Sequence, residues 1–151
     1  LWGTGLSPDK LNPNYFFGLN NLGNIYGKQR KLSKAIYYFK RALKQNPDYG
    51  PAHYNLAKAF DLTGRRQEAA ESYRKAIKSN PYFEQAFYNL AFLAMQLSLF
   101  DEALDNFKKF SERFKIGRYS FKFYNYFQQN FGKYFGRKIN LAGTRKGKEE
   151  V

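Results

Sequence analysis

Few side chains in this sequence have types and spacings that could support catalysis or metal binding. His53 is the single histidine, cysteine is absent, and Asp101, Glu102 and Asp105 form a close acidic group. One histidine without thiolates or clustered acids beside it makes a poor zinc site, and no Ser-His-Asp set is recognisable. We expect His53 to be packed in a structural role and the three carboxylates to lie at a positive helix N-terminus. The sequence therefore predicts no enzyme activity, no metal site and no cofactor.

A different chemistry is suggested by the aromatic and basic stretch beyond Phe114. Phe123, Phe127, Phe131 and Phe135 recur every four residues and would form one aromatic face of a helix. That face could cap a helical array, which is the favoured interpretation. It could also stack on single-stranded nucleic acid or insert at an anionic lipid surface. Candidate residues for a second interface are Lys122, Phe123, Tyr126, Phe127, Lys133 and Arg137.

The net charge of +14 is concentrated at the two ends of the chain. Residues 1–47 and residues 114–151 each carry +7, whereas residues 48–113 contain nine basic and nine acidic side chains. Such basic ends could bind RNA, DNA or acidic lipid with a steep salt dependence. The predicted second helix of the first unit carries a basic run of Lys31, Lys34, Lys40, Arg41 and Lys44. Such a run is more often a solvated face, and we prefer that interpretation for this helix.

The elements that must position these groups follow from a repeat with an offset of 34 residues. A fixed period of this length indicates a repeated supersecondary unit. The aligned columns are Leu22, Leu56 and Leu90; Gly23, Ala57 and Ala91; Ala35, Ala69 and Ala103; Phe39, Tyr73 and Phe107; and Asn46-Pro47 with Asn80-Pro81.

Each unit is predicted to contain two helices joined by a short turn. Apolar residues fall at helical spacing in two runs that are separated near Thr63-Gly64, where Gly64 would supply a left-handed turn. Pro47 and Pro81 disfavour the α conformation in the preceding asparagines and should end the second helices.

The columns of the best unit are Tyr54-Asn55-Leu56-Ala57, Ala69, Tyr73, Ala76 and Pro81, and this pattern resembles the tetratricopeptide repeat family. The third unit matches less well, since Ala94 replaces an aromatic residue and Lys115 replaces proline. The resemblance implies an all-α, right-handed solenoid of three helix-turn-helix units followed by a capping helix or a degenerate fourth repeat. The expected organisation is an irregular lead-in at 1–13, repeats at about 14–47, 48–81 and 82–117, an aromatic and basic helix at 118–138 and a flexible basic tail at 139–151.

The resemblance also implies a concave groove, lined by the first helix of each unit and suited to a peptide or partner helix. Asn21, Asn55 and Asn89 stand 34 apart and would form a row similar to the asparagine ladder of O-linked N-acetylglucosamine transferase. Local bonding of these asparagines between repeats is an equally open interpretation. The expected groove residues are Phe17, Asn20, Asn21, Asn24, Lys28, Tyr54, Asn55, Lys58, Asp61, Leu62, Gln85, Tyr88, Asn89, Phe92 and Met95.

A carboxylate clamp of the kind found in chaperone adaptors of this family is not expected. Asn24 and Asn55 match two asparagines of that clamp. Its three basic positions are instead occupied by Asn20, Gln85 and Asn89. Without cations at those positions, we predict no capture of a C-terminal carboxylate there.

We therefore predict a non-catalytic scaffold or adaptor that holds a protein or peptide partner in the groove within a multiprotein complex. The alternatives are binding of nucleic acid or acidic lipid through the basic aromatic ends, and self-assembly into a homo-oligomer by end-to-end stacking. The chain begins at Leu1. Its localisation is accordingly left open between the cytoplasm and export or membrane association directed by a signal before that residue.

Overall fold

The structure is a computed structural model, and it describes residues 12–113 and Gln129. The chain divides into two compact units, residues 1–113 and residues 114–151. The expected lead-in up to residue 11, the expected capping helix apart from Gln129, the basic tail and all six residues of the expected second interface lie outside the described residues. The described part of the first unit contains six helices: α1 (Tyr15–Lys28), α2 (Leu32–Gln45), α3 (Gly50–Leu62), α4 (Arg66–Ser79), α5 (Glu84–Gln96) and α6 (Phe100–Arg113).

The helices form three successive pairs, α1 with α2, α3 with α4 and α5 with α6, as the repeat predicts. The second helices of the first two pairs end at the asparagines that precede Pro47 and Pro81. Asn46 and Asn80 leave each helix in an extended conformation, with φ/ψ of −131°/92° and −138°/97°. Because proline disfavours the α conformation in the residue before it, both helices stop at this point. The predicted all-α helical-repeat solenoid is confirmed.

The turns within the three pairs share one hydrogen-bonding pattern. Arg30, Gly64 and Ser98 adopt positive φ angles of 61°, 77° and 60°. In the first turn the amides of Arg30 and Lys31 donate to the carbonyls of Gly27 and Tyr26 at 3.0 Å, and the other two turns repeat these bonds. This is a Schellman motif, which satisfies the last carbonyls of a helix. The predicted left-handed turn at Gly64 is confirmed.

Small residues allow the paired helices to approach closely. Ala35, Ala69 and Ala103 are at most 1% exposed. An added Cβ on Gly23 would lie 2.5 Å from Cε1 of Phe39, so the aromatic ring occupies the space above the glycine backbone. These alternating small and aromatic columns pack a continuous core through the three pairs.

None of the described helices is long and apolar enough to cross a membrane.

Candidate functional site

Two clefts open along the side of the repeats that carries α1, α3 and α5. The first cleft lies between the first and second pairs and has a volume of about 500 Å³. The second cleft lies between the second and third pairs and has a volume of about 280 Å³. Lys58 and Leu62 on α3 line both clefts, so the two form one groove with α3 at its centre.

Most of the expected groove residues contribute to these clefts. Asn24, Lys28 and Asn55 line the first cleft. The second cleft is lined by Asp61 and, from the next pair, by Tyr88, Asn89 and Phe92. Phe17, Asn21 and Gln85 are exposed on the same first helices, and Tyr54 is half-buried.

Asn20 and Met95 differ from the expectation that they face a ligand. Asn20 is 5% exposed and Met95 is 7% exposed. Helical spacing places both one turn from groove residues, but the neighbouring helix covers that part of the surface. The carboxamide of Asn20 is used inside the protein, where it accepts a hydrogen bond from Asn55 at 3.1 Å.

The row of asparagines makes contacts between repeats. Nδ2 of Asn55 donates to Oδ1 of Asn20 and joins α3 to α1. Nδ2 of Asn89 lies 3.3 Å from the hydroxyl of Tyr54 and 3.2 Å from that of Tyr73. Burial raises the pKa of Tyr73, so its phenol stays protonated at neutral pH. Two members of the row thus support the groove wall, while Asn21 is exposed to solvent.

Aromatic rings line the second cleft, as Tyr88 and Phe92 do, or lie near Lys58 at the centre of the groove, as Tyr54 does. The rings of Tyr54 and Phe83 are 4.5 Å apart, and those of Tyr88 and Phe92 are 6.1 Å apart. Nζ of Lys58 lies 5.5 Å from the centroid of the Tyr54 ring. A surface that combines aromatic side chains with amides and a few charged groups is typical of protein recognition.

Sequence reasoning missed Arg30, which also lines the first cleft. The left-handed conformation costs a residue other than glycine about 1–2 kcal/mol. The repeat offset would have shown this residue, because Arg30 stands in the column of Gly64 and Ser98. The signal available in the sequence was a long, positively charged side chain at a position where the second repeat has glycine.

The residues that could have suggested catalysis have structural partners. His53 is 8% exposed, and its Nε2 donates to the carbonyl of Pro47 at 2.6 Å. Asp101 and Glu102 lie in the first turn of α6, as expected, and Glu102 receives two hydrogen bonds from Arg74 at 2.6 and 2.7 Å. Among the described residues, no group of three histidine or acidic side chains could hold a metal ion.

The repeat architecture and its groove define a helical-repeat interaction module. Models of the tetratricopeptide repeat match residues 17–49 and residues 50–83. Residues 17–83 belong to the tetratricopeptide repeat family. Members of this family are typically non-catalytic protein-interaction modules, which places the chain among interaction scaffolds.

Solved structures of this family share the fold. The crystal structure of MamA is 20% identical, with a TM-score of 0.71 over 92% of this chain and 85% of that one. YrrB, described as a protein with an unusual peptide-binding site, is 19% identical, with a TM-score of 0.64 over 71% and 55%. The first repeat domain of Spaghetti (RPAP3), bound to the HSP90 peptide SRMEEVD, is 19% identical, with a TM-score of 0.67 over 74% and 88%. No curated protein sequence matches the chain.

Proposed function

We propose that the protein is a non-catalytic adaptor that holds an extended peptide or a partner helix in the groove formed by the two clefts. The observation that carries this proposal is the continuity of the groove across three repeats, with Lys58 and Leu62 lining both clefts. The two clefts together extend over three repeats, which suits several consecutive residues of a partner better than a single small molecule. The repeat proteins YrrB and RPAP3, whose structures concern peptide binding, support the same use of this fold.

The groove has the features that a peptide needs. Leu62 is 59% exposed at its centre and offers apolar area. Asn24 is half-buried in the first cleft and can bond a peptide backbone with both its donor and its acceptor. The supporting bonds of Asn55 and Asn89 hold the wall in place before binding, which lowers the entropic cost of association.

The test uses a substitution at the groove centre that leaves the core intact. Leu62→Asp places a charge in both clefts and replaces no buried residue. We expect this variant to enrich no peptides from a random library displayed on phage. Leu99→Asp is the matched control, because Leu99 is 41% exposed and lies outside both clefts. Peptides that bind the Leu62→Asp protein and the native protein equally would refute groove binding.

A second candidate function is supported by the surface of α2. Lys34, Lys40 and Lys44 are exposed there and make no ion pair among the described residues. The corresponding surfaces of α4 and α6 do carry ion pairs, such as Glu71 with Lys75 at 3.8 Å and Asp105 with Lys109 at 2.6 Å. A basic face whose lysines form no close ion pair favours contact with a polyanion.

This candidate predicts binding that weakens steeply with salt. The triple variant Lys34→Gln, Lys40→Gln and Lys44→Gln should then lose affinity for a single-stranded oligonucleotide or for vesicles containing anionic lipid. Unchanged affinity for both probes would exclude α2 as the binding surface.

A further inference from the structure

The first cleft carries three positive charges and no negative one. Lys28 comes from the last turn of α1, Arg30 from the turn that follows it, and Lys58 from the middle of α3. All three side chains are exposed, and none forms an ion pair among the described residues. No aspartate or glutamate lines this cleft, whereas Asp61 accompanies Lys58 in the second cleft. The positive potential of the groove is therefore concentrated at the junction of the first two repeats.

Arg30 contributes charge at a position where the fold does not need it. The three intra-pair turns have the same geometry, and the equivalent positions hold Gly64 and Ser98. Glycine adopts this conformation without strain, and arginine does not. Backbone strain beside a cleft motivates a functional hypothesis. The arginine side chain supplies a positive charge to the cleft, which the glycine of the next repeat cannot do.

The remaining lining complements the three cations. Ala35, Phe39 and Ala59 are buried and form an apolar floor beneath the charged rim. Asn24 and Asn55 add carboxamides at the side of the cleft. An apolar floor with a basic rim accommodates the stems of acidic side chains while their carboxylates reach the cations.

We propose that the first cleft binds an acidic segment of the partner peptide, with Lys28, Arg30 and Lys58 as its carboxylate ligands. This inference rests on the proposed function and specifies the chemistry of the same groove. Three cations around one cleft match two or more negative charges, so the ligand is a run of internal aspartate or glutamate side chains. A single C-terminal carboxylate would leave part of the charge uncompensated.

The test extends the phage selection with two triple variants that remove equal charge. The first, Lys28→Gln, Arg30→Gly and Lys58→Gln, empties the cleft of cations. The second, Arg66→Gln, Lys78→Gln and Lys108→Gln, removes the same charge from exposed positions on α4 and α6 outside both clefts and controls for non-specific attraction. We expect acidic peptides to be enriched on the native protein, to bind the cleft variant about tenfold more weakly and to bind the control variant almost normally.

The outcomes separate the two proposals. Neutral or basic peptides that bind natively and are lost with Leu62→Asp would overturn the acidic assignment and leave the groove function standing. Acidic peptides that are lost with the control variant and retained by the cleft variant would also overturn it. If all enriched peptides bind the Leu62→Asp protein as well as the native protein, both proposals are refuted.

A synthetic acidic peptide should bind with equal affinity as the free acid and as the C-terminal amide. Binding of the free acid alone would contradict an internal acidic segment.

Arg30→Gly separates a ligand role from a structural one. Glycine removes the backbone strain, so the melting temperature of this variant should equal or exceed that of the native protein. Affinity for the acidic peptide should nevertheless fall. A lower melting temperature with unchanged affinity would overturn the role of Arg30.

Discussion

At the scale of single residues, His53 shows how packing removes a reactive group from chemistry. Its ring stands in the column occupied by Leu19 and Phe87 in the other repeats, so it fills a core position. Its Nε2 donates to the carbonyl of Pro47. Burial lowers the pKa of His53 below 6.5, and the nearby Lys75 acts in the same direction against the hydrogen bond and Asp48. The imidazole is therefore neutral at physiological pH.

This lowered pKa predicts an acid-sensitive stability. Well above pH 6.5 the ring is neutral in both the folded and the unfolded chain, so its contribution does not vary. As the pH falls through 6.5, the unfolded chain binds the proton first, and the free energy of unfolding should decrease. Urea unfolding at successive pH values measures this slope.

The control for this prediction is His53→Gln, which keeps an N–H donor but does not titrate. Since His53 is the single histidine, the decrease near pH 6 should be reduced in this variant. An identical slope in the two proteins would show that other groups cause it.

At the scale of the helices, the asparagine row connects one repeat to the next. Asn55 on α3 donates to Asn20 on α1, and Asn89 on α5 contacts the hydroxyl of Tyr73 on α4. The first bond joins residues 35 positions apart, and the second joins residues 16 positions apart. The row thus fixes the relative position of the elements that form the groove wall.

Asn55→Ala should destabilise the protein by about 1–3 kcal/mol, because it removes the donor that satisfies the buried carboxamide oxygen of Asn20. The matched control is Asn21→Ala on the exposed side of α1, which should change the free energy of unfolding by less than about 0.5 kcal/mol. Chemical denaturation of the two variants measures both values. Equal effects would contradict the assignment of Asn55 to the contact between repeats.

At the scale of the whole array, the first repeat is covered less than the others. Ile25 is 51% exposed, whereas Ala59 and Leu93 in the same column are 4% and 2% exposed. This column is thus buried in the second and third repeats and exposed in the first. The exposed side of α1 is the surface that end-to-end stacking would use, if the protein self-assembles.

Ile25→Lys should change stability by less than about 0.5 kcal/mol, as expected for an exposed position. Ala59→Lys should cost about 3–5 kcal/mol, because it introduces an unpaired charge between the first two pairs. Thermal unfolding at low and high protein concentration measures both. A large cost for Ile25→Lys that appears only at high concentration would indicate that a second copy covers α1.

The order of the helices could be predicted because its causes are local in sequence. Asn46-Pro47 and Asn80-Pro81 end helices through the backbone of two adjacent residues, and Gly64 marks a turn by its own conformational freedom. The alanine and aromatic columns recur at a constant offset, so they identify the repeat without any knowledge of contacts. Most of the groove residues followed from the same periodicity.

The sequence by itself determined the family, the helix pairs and the face on which the groove would lie, because short-range rules and a fixed period specify them. Only the tertiary structure decided which groove residues are available, since burial of Asn20 and Met95 depends on neighbouring helices. It also brought Lys28, Arg30 and Lys58 to one cleft from α1, its turn and α3. That convergence depends on how two repeats pack, and no pattern within one repeat contains it.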